Sequence, residues 1–214
     1  MSIQKLREIH REAILQSVRV VSAVGPDDLV RPTPCEGWIL IDLLRHMIVQ
    51  HKGFAEAASG RTTAIHEWAP SLSDRDLVLE YIESSVQVIR AFADETLDGR
   101  RMLLPEISRT DTISAQRAMG FHLVDYVVHG WDVAKTIGIA YQPGDSVAAA
   151  ALNVAQQVPN GPQRSKPGSA FAPSVLQPSD ASPIDQIVAL LGRSPQWTNA
   201  QRKLPNGPTF VSGG

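Results

Sequence analysis

A single cysteine, Cys35, stands among 214 residues. That excludes an internal disulfide framework and any zinc cage assembled from cysteines. Beside Pro34, and with no base next to it in sequence, Cys35 reads as a small packing residue, with a catalytic thiol as the lesser alternative. A basic excess is missing too: 20 Lys and Arg face 22 Asp and Glu, for a net charge of −2. No Lys/Arg cluster forms a phosphate-tracking face, which argues against nucleic-acid binding. No stretch approaches the roughly 20 apolar residues of a membrane span. The opening MSIQKLREIHREAIL is charged and amphipathic, without the apolar core of a secretion signal. GxSxG, P-loop and GxGxxG motifs are absent as well, so serine hydrolase, NTPase and Rossmann chemistry lack support. A soluble cytoplasmic protein is expected.

What is present is helical pattern. Hydrophobic residues make up 43% and charged ones 20%, an ordinary globular balance with enough chain for one well-buried domain. Helical periodicity runs over residues 3–23, about 40–58, about 73–94 and about 114–137. Gly25-Pro26, Ser59-Gly60 and Gly138 provide stop signals, and Ser73 with Asp76 a start signal. No segment alternates with period two, so strands are not the framework. The connections 60–72 and 96–112 are longer than a minimal bundle needs and read as lid-like or as surface excursions. Residues 145–158 and 184–191 predict two further helices. Between them, 159–183 is rich in Pro and Gly, and 198–214 reads as a loose tail.

One helical segment stands apart. In FHLVDYVVHGWD, residues 121–132, His122, Asp125, His129 and Asp132 recur at steps of three, four and three and share one stripe. Leu123, Val124, Val127, Val128, Trp131 and Val133 surround them, so the stripe faces an interior where unpaired charge is costly. Asp125 and His129 are spaced to hold one metal ion from adjoining turns. His46 sits among apolar neighbours in the second helix, and a bundle can bring it to the same point. Two imidazoles and one carboxylate suit zinc, nickel or ferrous iron. Hydrogen-bonded core histidines remain the alternative at each position. His122 is assigned to the pocket lining, and Asp132 either orients a ligand imidazole or makes another polar contact. Asp42, four residues before His46, reads as a solvated helix-start aspartate, with orienting a ligand imidazole as the lesser alternative, and His10, His51 and His66 as surface or loop residues. Arg164 and Lys166 read as solvated charges, with an anion at the pocket mouth as the lesser alternative.

Three segments carry a family resemblance: TPCEGWILIDLLRHMIVQHKGFA at 33–55, FHLVDYVVHGWDVAKTIG at 121–138 and LLGRSPQW at 190–197. With these the chain resembles the DinB-like metalloproteins, in the actinobacterial branch related to the N-terminal domain of mycothiol-dependent maleylpyruvate isomerase. The resemblance implies an all-α fold with a four-helix bundle, placed here over 1–140; the pattern beyond it adds a helical and loop extension over 141–197 packed on the bundle and a tail over 198–214. It implies a metal held by His46, Asp125 and His129, zinc before nickel or iron. It also implies mycothiol or another low-molecular-weight thiol as co-substrate. The expected function is a thiol-dependent transferase or isomerase acting on a small electrophile. His122, Asp132, Trp131 and Trp38 then shape the pocket. The alternatives are a thiol-independent Lewis-acid enzyme (a hydrolase, dehydratase or isomerase) and a non-catalytic metal-binding protein. A small-molecule substrate is the expected partner, without nucleic acid or membrane, and a homodimer stays open.

Overall fold

The computed structural model describes residues 1–61, 76–108, 110–166, 169–176 and 180–199. Its helices are α1 (Ile3–Val21), α2 (Leu40–Ala58), α3 (Leu77–Ala93), α4 (Ala115–Ile137), α5 (Asp145–Gln157) and α6 (Pro183–Leu190). Each main start has a local chemical reason. The Ser2 side chain accepts from the Lys5 N–H, Ser114 from Arg117 and Ser182 from Asp185. Asp76 itself caps α3, accepting from the Val78 and Leu79 N–H groups, so the helix begins at Leu77; Ser73 lies outside the described residues. At the end of α4, Gly138 takes a left-handed φ of 77° and its N–H returns to Ala134 O.

In the bundle, α1 packs on α3 and α4, and α2 on α3 and α4. Two apolar clusters fill it. One gathers Leu43, Leu44, Met47, Tyr81, Tyr126 and Val133. The other runs from Phe54, Val88 and Phe92 through Leu123, Val127 and Trp131 into Ala151 of α5 and Ile187 of α6. Helix α5 lies against α1 and α4, and α6 lies against α5. Tyr141, between α4 and α5, rests on Gly130, where a Cβ would stand 3.1 Å from its ring. The glycine is what lets that ring approach the helix.

Residues 96–112 are more ordered than an excursion. They form a hairpin of β1 (Arg101–Leu103) and β2 (Thr112–Ser114), with Met102 paired to Ile113. Met102 and Leu104 are buried, and Glu106 near the hairpin tip accepts from the Gln50 side chain at 2.6 Å. Most of the 60–72 connection lies outside the described residues. In the Pro/Gly-rich segment, Arg164 is buried rather than solvated. Its guanidinium donates to the carbonyls of Val158, Pro159, Ala172 and Leu190, which ties the irregular chain to the end of α6. A planar fork with five donors serves this better than it could serve an anion while so occupied. Among the described residues, no helix is long and apolar enough to cross a membrane.

Candidate metal centre

His46 comes from α2, and Asp125 and His129 from successive turns of α4. One donor atom from each lies within 4.8 Å of the other two. His129 Nε2 is 3.3 Å from Asp125 Oδ1, and the His46 and His129 rings meet edge to face with centroids 5.3 Å apart. Trp38, just before α2, sets its ring edge to face against His46 at 5.0 Å. The Asp125 side chain keeps 24% of its surface, so this side of the group opens to solvent.

Behind His129 stands a second layer. Asp132 is fully buried, and its Oδ2 lies 2.9 Å from His129 Nδ1. The same oxygen accepts from Cys35 Sγ at 3.1 Å and from the Arg193 guanidinium at 3.2 Å. Arg193 also donates to Cys35 Sγ at 3.1 Å, and Cys35 Sγ is 3.8 Å from His129 Nδ1. Asp132 Oδ1 has no hydrogen-bond partner among the described residues.

Charge follows this arrangement. Burial alone would raise the Asp132 carboxyl, but Arg193 and the His129 hydrogen bond outweigh it and the net shift is downward. Asp125 behaves likewise, burial being overcome by His129 and His46. Burial also opposes charge on His129, yet Asp125 and Asp132 drive it well above the ordinary histidine value. His46 is lowered to about 4, first by desolvation and then by the neighbouring His129. At neutral pH it therefore presents a free lone pair. The surroundings favour positive charge between Asp125 and His129, beside that lone pair. A divalent cation fits this donor set, and an imidazole held by a carboxylate through its second nitrogen is the usual support of a metal ligand.

The other sequence candidates fall elsewhere. His122 shares the α4 stripe but not the site. Its Nδ1 lies 2.9 Å from His10 Nε2 and its Nε2 lies 3.3 Å from His51 Nδ1. His10 and His51 are buried, which corrects their reading as surface residues: both sit on inward faces and meet His122 across the bundle. Tyr126 stacks on both His51 and His122, and Phe92 meets His10 edge to face. His66 lies outside the described residues. Trp131 points into the cluster shared with α5 and α6, with the Lys135 ammonium 5.3 Å over its ring. Asp42 is exposed, and its carboxylate accepts from the Ile39 N–H at the start of α2. Two groups escaped the reading of single residues. Arg193 lies in LLGRSPQW, where nothing local marks it as functional, and Cys35 has His129 and Asp132 as neighbours from 94 and 97 residues away. The one available signal was that TPC, the helix stripe and LGR occur together.

Comparison with known proteins agrees with this architecture. Two uncharacterized proteins of Mycobacterium tuberculosis, from strains CDC 1551 / Oshkosh and H37Rv, are each 25% identical over 186 residues, covering 86% of this chain and 96% of theirs. The crystal structures of the mycothiol-dependent maleylpyruvate isomerase and of a histidine-to-alanine mutant each superpose with a TM-score of 0.58 at 16% identity. Each alignment covers 72% of this chain and 68% of the other, and the likeness is one of fold. A family profile described as the mycothiol maleylpyruvate isomerase N-terminal domain matches residues 10–134. That match spans more than half of the chain, and the chain belongs to this family.

Proposed function

We propose that the chain is an enzyme that holds one divalent ion, zinc before nickel or iron, on His46, Asp125 and His129. With a mycothiol-type thiol it would act on a small electrophile as a transferase or isomerase. The observation that carries the reading is the convergence of three donors from two helices, open to solvent on the Asp125 side and backed by Asp132 behind His129. Structural sites are closed by protein ligands, whereas catalytic ones keep a position for water or substrate. Three protein donors with a partly exposed flank support the catalytic kind. An ion bound there supplies Lewis acidity and lowers the proton affinity of a coordinated thiol.

The residues of the chain do the rest. His46 and His129 offer imidazole nitrogens, and Asp125 offers a carboxylate one methylene shorter than Glu would be. Asp132 receives the proton on His129 Nδ1 and holds that ring in place. Trp38 sets its ring against His46 and walls that side of the group. Trp131 and His122 support α4 from the apolar interior. Soluble cytoplasmic residence is the setting in which such a thiol co-substrate would be met.

Metal analysis tests the first part: purified protein should carry about one equivalent of divalent ion and His129→Ala very little. Full retention by the variant would sink the site. For the second part, mycothiol added to the cobalt-substituted protein should shift its visible spectrum. No shift would remove the thiol and leave the Lewis-acid alternative.

A further inference from the structure

Arg193 follows α6, 61 residues beyond Asp132 and outside the segment that matches the family. Its guanidinium is nevertheless buried against the centre just described. The turn that delivers it is built for the purpose. Gly192 N–H returns to Ala189 O at 3.0 Å and Arg193 N–H to Val188 O at 2.8 Å, the paired bonds of a Schellman helix end. Gly192 has a φ of 85°, and a Cβ there would stand 2.6 Å from Ala172 O, so only glycine fits. Farther along, Lys135 Nζ donates to Pro195 O at 3.0 Å and the Asn199 side chain to Thr136 O, fastening the segment along α4. Arg193 Nη1 is fixed on Leu191 O at 3.0 Å, which leaves Nη2 to reach both Cys35 Sγ and Asp132 Oδ2.

We propose that Arg193 is a positioning residue for the metal centre: its guanidinium holds Asp132 Oδ2 and Cys35 Sγ in one place. The carboxylate fixed in this way receives His129 Nδ1–H and aims His129 Nε2 at the point shared with His46 and Asp125. The inference rests on the metal reading above and adds that the C-terminal segment completes the site. Asp132 is fully buried, so in the intact protein its carboxylate is placed by protein donors. A lysine would keep the charge but not the fork, because a single ammonium cannot hold Leu191 O with one nitrogen while a second reaches Asp132 and Cys35.

The experiment uses the full chain and Co2+ as probe, with affinity and visible spectrum as readouts. Arg193→Met should weaken Co2+ binding about 10- to 100-fold, the range for groups that hold a ligand in place, and alter the spectrum; Arg193→Lys should recover part of the loss. In an Asp132→Asn background, Arg193→Met should have little further effect, because the guanidinium acts through that carboxylate. A merely structural arginine would instead lower thermal stability and cost the same factor in both backgrounds, which would overturn the proposal. Wild-type affinity and spectrum in Arg193→Met would also overturn it while leaving the metal reading intact. Should Arg193→Met fail to fold, Arg193→Lys decides, and unchanged Co2+ binding in that variant refutes the role. A wild-type protein that binds no Co2+ removes the metal reading and this inference together.

Discussion

His122 and His129 are two turns apart on the same face of α4, and their surroundings give them opposite character. His129 lies between Asp125 and Asp132 and is pushed well above the ordinary histidine value despite its burial. His122 lies between His10 and His51, under Tyr126, Phe54 and Phe92, and desolvation drives it well below that value. One ring is dressed for positive charge and the other is held neutral. The difference teaches that histidine on an inward stripe says little about role until the partners on other helices are known. Carboxylates make a cation site, whereas imidazoles and aromatic rings make a hydrogen-bonded piece of core.

The largest effect that could break this comparison is on metal content. His129→Ala should remove the bound ion, whereas His122→Leu should retain about one equivalent and lose stability by roughly 1–3 kcal/mol for each imidazole left unpaired. Metal loss in His122→Leu, measured by elemental analysis on folded protein, would merge the two groups into one.

Acid titration sharpens the contrast next. Burial lowers His10 to about 3 and sends His51 and His122 well below their ordinary value. Each titrates near 6.5 in the unfolded chain, which therefore takes up protons that the folded cluster refuses. The stability contribution of these groups is complete above pH 6.5 and declines as pH falls, toward about 3 for His10. The slope approaches about 1.4 kcal/mol per pH unit for each imidazole. Urea unfolding at pH 7 and pH 5 measures it, and His10→Phe should flatten the dependence by one group's share. An unchanged slope in that variant would mean that His10 is not held neutral.

Gly192→Ala should cost about 1–3 kcal/mol through backbone strain and the contact with Ala172. It should also loosen Arg193 from the His129 side while leaving the His122 cluster untouched. A thermal melt equal to wild type would show that the turn tolerates a side chain.

The smallest effect is expected from Cys35→Ser: Cys35, His129 and Asp132 also bring three donor atoms within 4.8 Å of one another, but Arg193 occupies both Cys35 Sγ and Asp132 Oδ2, and Cys35 is not among His46, Asp125 and His129. Co2+ affinity should change by less than about tenfold. Complete loss of binding would move the thiol into the ligand set.

Helix α2 was legible in the sequence to its end residues, since apolar spacing and the Ser59-Gly60 stop are local signals. The start of α3 was less legible, because Asp76 caps it directly and lies three residues beyond the serine that also matched a cap. The hairpin at 101–114 was hidden because three-residue strands are too short to show an alternation. Arg164 looked solvated because its partners are backbone carbonyls, which carry no residue-type signal.

By itself the sequence determined that the chain forms helices, that His122, Asp125, His129 and Asp132 share a stripe, and that His46 sits on an apolar face. Those are consequences of the helical period, which acts over a few residues. The family resemblance joined His46 to Asp125 and His129, but tertiary structure alone decided that His10 and His51 meet His122. It alone carried Arg193 to Cys35 across 158 residues. The physical reason is that a side chain's charge state and partners are set by whatever other helices bring within a few ångströms, and local spacing does not encode that.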